Sequence, residues 1–155
     1  MLIRRFFIVL VMMLTGAGWL RAQEPATDAA RLQGEWQLEH VKTALYTQEG
    51  NKLLEERTWV ADSTQRMNVF VPLVIRLMNG ECTIEHKAGM EEGNFTVPVN
   101  GMLRYETKNQ PAVIYDYQLP QPAMLVLNMP TAFYKDNTRR QAVKLVYTCY
   151  YRKKQ

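Results

Sequence analysis

At 155 residues, with 47% hydrophobic and 22% charged side chains, the chain has the composition of a folded protein rather than of a disordered or fibrous one. Its 19 basic and 15 acidic residues give +4, but Arg4, Arg5 and Arg21 fall in the first 22 residues, and without them the balance is 16 against 15, or +1. A charge so close to zero gives no footing to nucleic-acid binding, and Arg152-Lys153-Lys154 reads as a solvated C-terminal end.

The chain opens Met1-Leu2-Ile3-Arg4-Arg5, then runs apolar over residues 6–14 and weakens through Gly16, Ala17, Gly18, Trp19 and Leu20 before Arg21-Ala22-Gln23. A charged start, an apolar centre and a small residue ahead of a polar stretch predict a secretory signal peptide over residues 1–22, cleaved after Ala22. A retained anchor would need about 20 apolar residues, and Gly16, Gly18 and Arg21 interrupt the run. The protein is therefore expected to be exported, periplasmic or extracellular, with no stable membrane span after processing. No cysteine near the cleavage site offers itself for acylation; the only two are Cys82 and Cys149. In an oxidising compartment the first expectation is a disulfide closing a loop of about 67 residues, worth about 4 kcal/mol. The alternative is a pair of buried, inert thiols.

Residues 23–30 read as a flexible leader passing into a short helix at 27–32, and residues 31–155 as one domain. Trp36, Leu38 and His40 alternate with Gln37 and Glu39 and predict the first strand. Residues 47–68 are ambiguous: residues 51–57 fit either a helical turn or the return arm of a hairpin. Leu73, Ile75 and Leu77 form one face of a strand ending at Asn79-Gly80, and Cys82, Ile84 and His86 line the next. Asn-Gly between two alternating runs predicts a tight hairpin, because both residues tolerate positive φ. The pattern recurs at Phe95, Val97, Val99, then Asn100-Gly101, then Leu103 and Tyr105. Further strands are expected over residues 112–119, 124–129 and 142–152, with Pro111, Pro120, Pro122 and Pro130 between them. The fold class that follows is all-β, an antiparallel up-and-down barrel of about eight strands.

The segment Leu32-Gln33-Gly34-Glu35-Trp36-Gln37-Leu38 resembles the opening of a lipocalin-like (calycin-type) barrel, as found in small exported bacterial proteins. In that superfamily a Gly-x-Trp starts the first strand, the indole plugs the closed end, and a basic residue ending the last strand lies across it. The resemblance implies that Arg152, after Thr148-Cys149-Tyr150-Tyr151, covers Trp36. Two departures accompany it. Tyr115-Asp116-Tyr117 matches the family's second signature only faintly, and the chain stops at Gln155, without room for the helix that follows the last strand.

Catalytic patterns are missing. His40 and His86 follow Glu39 and Glu85 but stand in no metal-ligand spacing, so no metal site or cofactor is expected. By alternation each histidine shares a face with apolar neighbours, so the two could meet inside a barrel. Ser63, the only serine, has no nucleophile-elbow context. A Cys82–His pair would require a free thiol, and Glu55-Glu56 and Glu91-Glu92 read as solvated turns. Asn94-Phe95-Thr96 fits a glycosylation acceptor only in a eukaryotic secretory pathway. The protein is not expected to be an enzyme. Tyrosines suit a boundary between apolar and wet surroundings. The candidate ligand-binding set is therefore Trp36, His40, His86, Tyr105, Tyr115, Tyr117 and Arg152. Two functions are expected to compete: binding of a small hydrophobic or amphipathic molecule inside the barrel, and a protein-binding or inhibitor module with a filled barrel and exposed strand edges. The state of the interior discriminates them.

Overall fold

The structure is a computed structural model that describes residues 27–61, 71–107 and 111–155. The signal segment at 1–22, its cleavage site, the start of the leader and Ser63 lie outside the described residues. A short helix, α1 (Asp28–Leu32), leads into ten strands: β1 (Gly34–Thr47), β2 (Leu53–Val60), β3 (Val74–Met78), β4 (Glu81–His86), β5 (Gly89–Val99), β6 (Met102–Glu106), β7 (Val113–Gln121), β8 (Met124–Asn128), β9 (Ala132–Asp136) and β10 (Gln141–Lys153).

All pairings are antiparallel. Eight strands close a barrel in the order β1-β3-β4-β5-β6-β7-β8-β10, with β10 returning to β1. The expected all-β antiparallel barrel is what the chain forms. At the β3–β4 turn Asn79 and Gly80 take φ of 52° and 88°, the positive-φ pair that lets two short strands fold back in register.

The length of β1 and β10, 14 and 13 residues, gives the molecule its second feature. They pair from Trp36↔Lys153 to Thr47↔Val143, well beyond the barrel wall. The first part of β1 takes β3 as its other neighbour (Gly34↔Leu77 to Gln37↔Val74), and the second part takes β2 (His40↔Val60 to Tyr46↔Leu53). β10 divides likewise: Thr148 to Arg152 pair with β8, and Gln141 to Leu145 with β9. A four-stranded wing, β2-β1-β10-β9, thus extends from the barrel with β2 and β9 at its edges. The ambiguous residues 51–57 turn out to belong to a hairpin return arm. Strand β9 goes beyond the expected strands: its five residues show no alternation of buried and exposed positions.

The core is the barrel interior. Trp36, Leu77, Leu125, Cys149 and Tyr151 have no exposed surface, and Ile75, Cys82, Ile84, Leu103, Tyr105 and Tyr117 are almost as deep. Helix α1 stoppers one end. Its Leu32 is fully buried, its carbonyl accepts from Trp36 Nε1 at 2.7 Å, and its Asp28 accepts from the Tyr117 hydroxyl at 3.0 Å. Burying Leu32 and the indole contributes about 2–3 kcal/mol each, while the two hydrogen bonds satisfy the polar atoms carried inside.

Cys82 and Cys149 are both free and buried, which corrects the expected disulfide. Cys82 sits on β4 and Cys149 on β10, and β3 and β1 lie between those strands in the ring. Burial pushes both thiols up to about 12. They behave as small apolar core residues.

Candidate functional site

The closed end holds Trp36, but not with the residue the resemblance implied. Because Trp36 pairs with Lys153 and Gln37 with Arg152, alternation turns Arg152 outward. There it donates to Glu39 at 2.7 Å with two-thirds of its side chain exposed. Lys153 takes the expected place, with Nζ 5.1 Å from the Trp36 ring centre and its stem running past Gly34. A Cβ at Gly34 would stand 2.6 Å from Lys153 Cε, and Gly34 has φ +128°, so this glycine provides both the chain direction and the space. Trp36 and Lys153 form a stopper, and Trp36 itself has no exposed surface.

His40 is likewise corrected. A bulge between Leu38 and His40 makes Glu39 an extra residue, so Leu38 opposes Tyr151 and His40 opposes Tyr150. One extra residue flips every later side chain to the other face. Val41 therefore turns inward, and His40 lies on the outside, stacked on Tyr150 at 4.3 Å with the rings 13° from parallel. The two histidines do not meet.

The remaining candidates do converge inside. Tyr105, Tyr115 and Tyr117 all face the interior and belong to one buried cluster. Tyr117 is committed to Asp28, and Tyr151, which was not among the candidates, donates to the Pro72 carbonyl at 3.0 Å. Tyr105 is different: its hydroxyl is buried and has no hydrogen-bond partner among the described residues. Burial raises the phenols of both Tyr105 and Tyr115, the latter to about 12, and nearby Cys82 and Glu91 push the same way. His86, at the end of β4, has its side chain one-tenth exposed, with Nε2 3.9 Å from Glu91 Oε1. Glu91 opposes inward-facing Ile84, so it lies on the inner face of β5 near the β4–β5 turn. His86, Glu91, Tyr105 and Tyr115 therefore form the polar part of the interior, at the end away from Trp36. The sequence reads Glu91 as part of a solvated turn; the structure places it in β5, opposite Ile84.

A cavity wide enough for water would leave exposed area on its walls. Much of the wall carries almost none: zero for Trp36, Leu77, Leu125, Cys149 and Tyr151, 4% for Tyr105 and 9% for Tyr115, while Leu73, Val113, Met129 and Tyr147 are only partly buried. The chain's own side chains pack the part of the interior around Trp36, Tyr105 and Tyr151.

The largest uncovered aromatics lie elsewhere. Phe133 is 63% and Tyr134 45% exposed, side by side on β9. No described strand pairs with the outer edge of β9. The opposite edge, β2, is blunted by charge. Its Glu56 pairs with Lys42 at 2.9 Å, and its Glu55 pairs with Arg57 and with Arg139, the latter at 3.0 Å. Arg139 also grips Asp136 at 2.7 Å, and Asp136 accepts from the N–H groups of Thr138 and Arg139. These bonds hold the Asp136 carboxyl below its ordinary value and fix the turn that presents β9. No signal in the sequence marks Phe133 as exposed; it shows only once β9 is known to be an edge.

Among the described residues no group of three or more His, Cys, Asp or Glu side chains could hold a metal ion, and no helix is long and apolar enough to cross a membrane. No protein-family model matches the chain, and no curated protein or solved structure matches it significantly.

Proposed function

We propose that the chain is an exported, lipocalin-like barrel that works as a protein-binding module, receiving an extended segment of its partner along the free edge of β9. The observation that carries this reading is the contrast between a tightly packed core around Trp36, Tyr105 and Tyr151 and an edge strand that no described strand pairs with, exposing Phe133 and Tyr134. Edge strands usually carry charge or are covered, because their free N–H and C=O groups recruit another strand. Strand addition uses those groups for affinity and alternate side chains for specificity. The sequence of residues 1–22 supports export.

Selection from a library of random heptapeptides tests this. Peptides retained by the wild-type chain should be lost by the double variant Phe133→Ser/Tyr134→Ser, whose thermal unfolding should stay near that of the parent. Peptides retained equally by both chains would overturn the assignment to β9.

A second reading has one observation in its favour. The unpartnered Tyr105 hydroxyl, beside Glu91 and near His86, offers a donor to the head group of a small amphipathic molecule entering between those residues. A small-molecule adduct in native mass spectrometry that Tyr105→Phe abolishes would favour it over the edge.

A further inference from the structure

We infer that the segment accepted by β9 is acidic, with carboxylates on the side that meets Lys135 and Lys144; this rests on the edge-binding reading above. Residues 131–144 contain Lys135, Arg139, Arg140 and Lys144 against a single acid, Asp136. Asp136 is consumed by Arg139, whose second nitrogen is in turn held by Glu55. No ion pair among the described residues involves Lys135, Arg140 or Lys144. The Lys144 ammonium instead lies 5.4 Å from the centre of the Tyr46 ring.

The register sorts these groups by face. Lys144 pairs with Phe133 and Ala142 with Lys135, so Phe133, Lys135 and Lys144 share one face of the wing. Tyr134, opposite Val143, belongs to the other. A strand laid along β9 would therefore set alternate side chains beside Phe133 and Lys135. Opposite charges directly across a sheet stabilise it and like charges destabilise it. A carboxylate beside Lys135, with an apolar residue beside Phe133, matches what the edge presents.

The same pattern speaks against a second copy of the chain. Antiparallel pairing of β9 with itself about Tyr134 would set Lys135 against Phe133 of the other copy. It would also gather two Lys135 and two Lys144 ammonium groups on one face with no acid among them. The β2 edge of another copy is no better supplied, because Glu55 and Glu56 already have cationic partners.

The test uses three synthetic heptapeptides that are identical except at one position, which is Glu, Gln or Lys. That position is set two residues from an apolar residue on the same strand face, so that the two lie beside Lys135 and Phe133 respectively. Fluorescence anisotropy on the whole chain should give the Glu peptide an affinity about tenfold above the Gln peptide, with the Lys peptide weakest. High salt should close the gap, and Lys135→Glu/Lys144→Glu should reverse the order. Equal affinity for all three, abolished by Phe133→Ser/Tyr134→Ser, overturns the acidic preference while the edge reading stands. Binding of none of them overturns both. Sedimentation as a dimer that the same double variant dissolves makes a second copy the occupant, and also overturns the inference.

Discussion

Lys153 lies over Trp36, with its ammonium nitrogen 5.1 Å from the ring centre, and ties the last strand to the first at the stoppered end of the barrel. Its neighbour Arg152, facing out, holds only an exposed ion pair with Glu39. The two residues therefore separate cleanly by substitution. Lys153→Ala should lower stability by about 1 kcal/mol, through the lost cation–ring contact and the lost packing of its stem. Arg152→Ala should stay within about 0.5 kcal/mol of the parent. Urea denaturation measures both, and the opposite ranking would return the capping role to Arg152.

Gly93 marks a point where two strands leave no space. A Cβ there would lie 2.2 Å from the Glu106 carbonyl oxygen and 2.9 Å from the Tyr105 ring. Backbone cannot swing aside as a side-chain tip can. Gly93→Ala should destabilise the fold by about 2 kcal/mol or more, read as a lower urea midpoint. An alanine variant as stable as the parent would mean that β5 and β6 pair more loosely than described.

The two cysteines should be silent in the native protein. Each is buried and its thiol is raised to about 12, so almost no thiolate forms at pH 8. A thiol reagent is expected to modify neither until the chain unfolds and both thereafter, with no change in intact mass on reduction. A gain of two hydrogens on reduction would establish the bridge instead.

Acid should act through two carboxylates. Glu35, between Arg76 and Lys154, and Asp136, beside Arg139, both have native pKa values below their ordinary 4.5 and 3.8. The unfolded chain then binds more protons than the folded one in acid. The stability these groups contribute is fully present above those ordinary values and is lost as pH falls through the lower native ones. Melting temperature should therefore fall as pH drops below about 4. Asp136→Asn should destabilise at neutral pH, by a margin that shrinks in acid. A margin independent of pH would contradict the role given to the Asp136 carboxylate.

The barrel was legible in the sequence because most of its rules are local. Asn79-Gly80 dictates a hairpin by its own dihedral preferences, and the inward set Cys82 and Ile84 follows from period-two alternation. Gly34 and Trp36 announced the stoppered end. What was misread depends on register. The bulge at Glu39 reversed the face of His40, and a pairing offset of one residue exchanged Arg152 for Lys153. The bulge leaves no mark in composition or spacing, whereas the alternation of Cys149, Tyr151 and Lys153 does put Lys153, not Arg152, on the inner face. Strand β9 was missed for a related reason: nothing in Ala132-Phe133-Tyr134-Lys135-Asp136 predicts that it ends a sheet. Edges are a property of the assembled fold.

The most direct test of the central claim is a backbone amide shift map of the isotope-labelled chain titrated with the Glu heptapeptide. The account predicts saturable perturbations at residues 132–136 and at their β10 partners 141–145, with residues 86–91 at the barrel mouth unmoved. Perturbations centred on residues 86–91 with β9 unmoved would contradict it, and would move the working surface to Tyr105, Glu91 and His86.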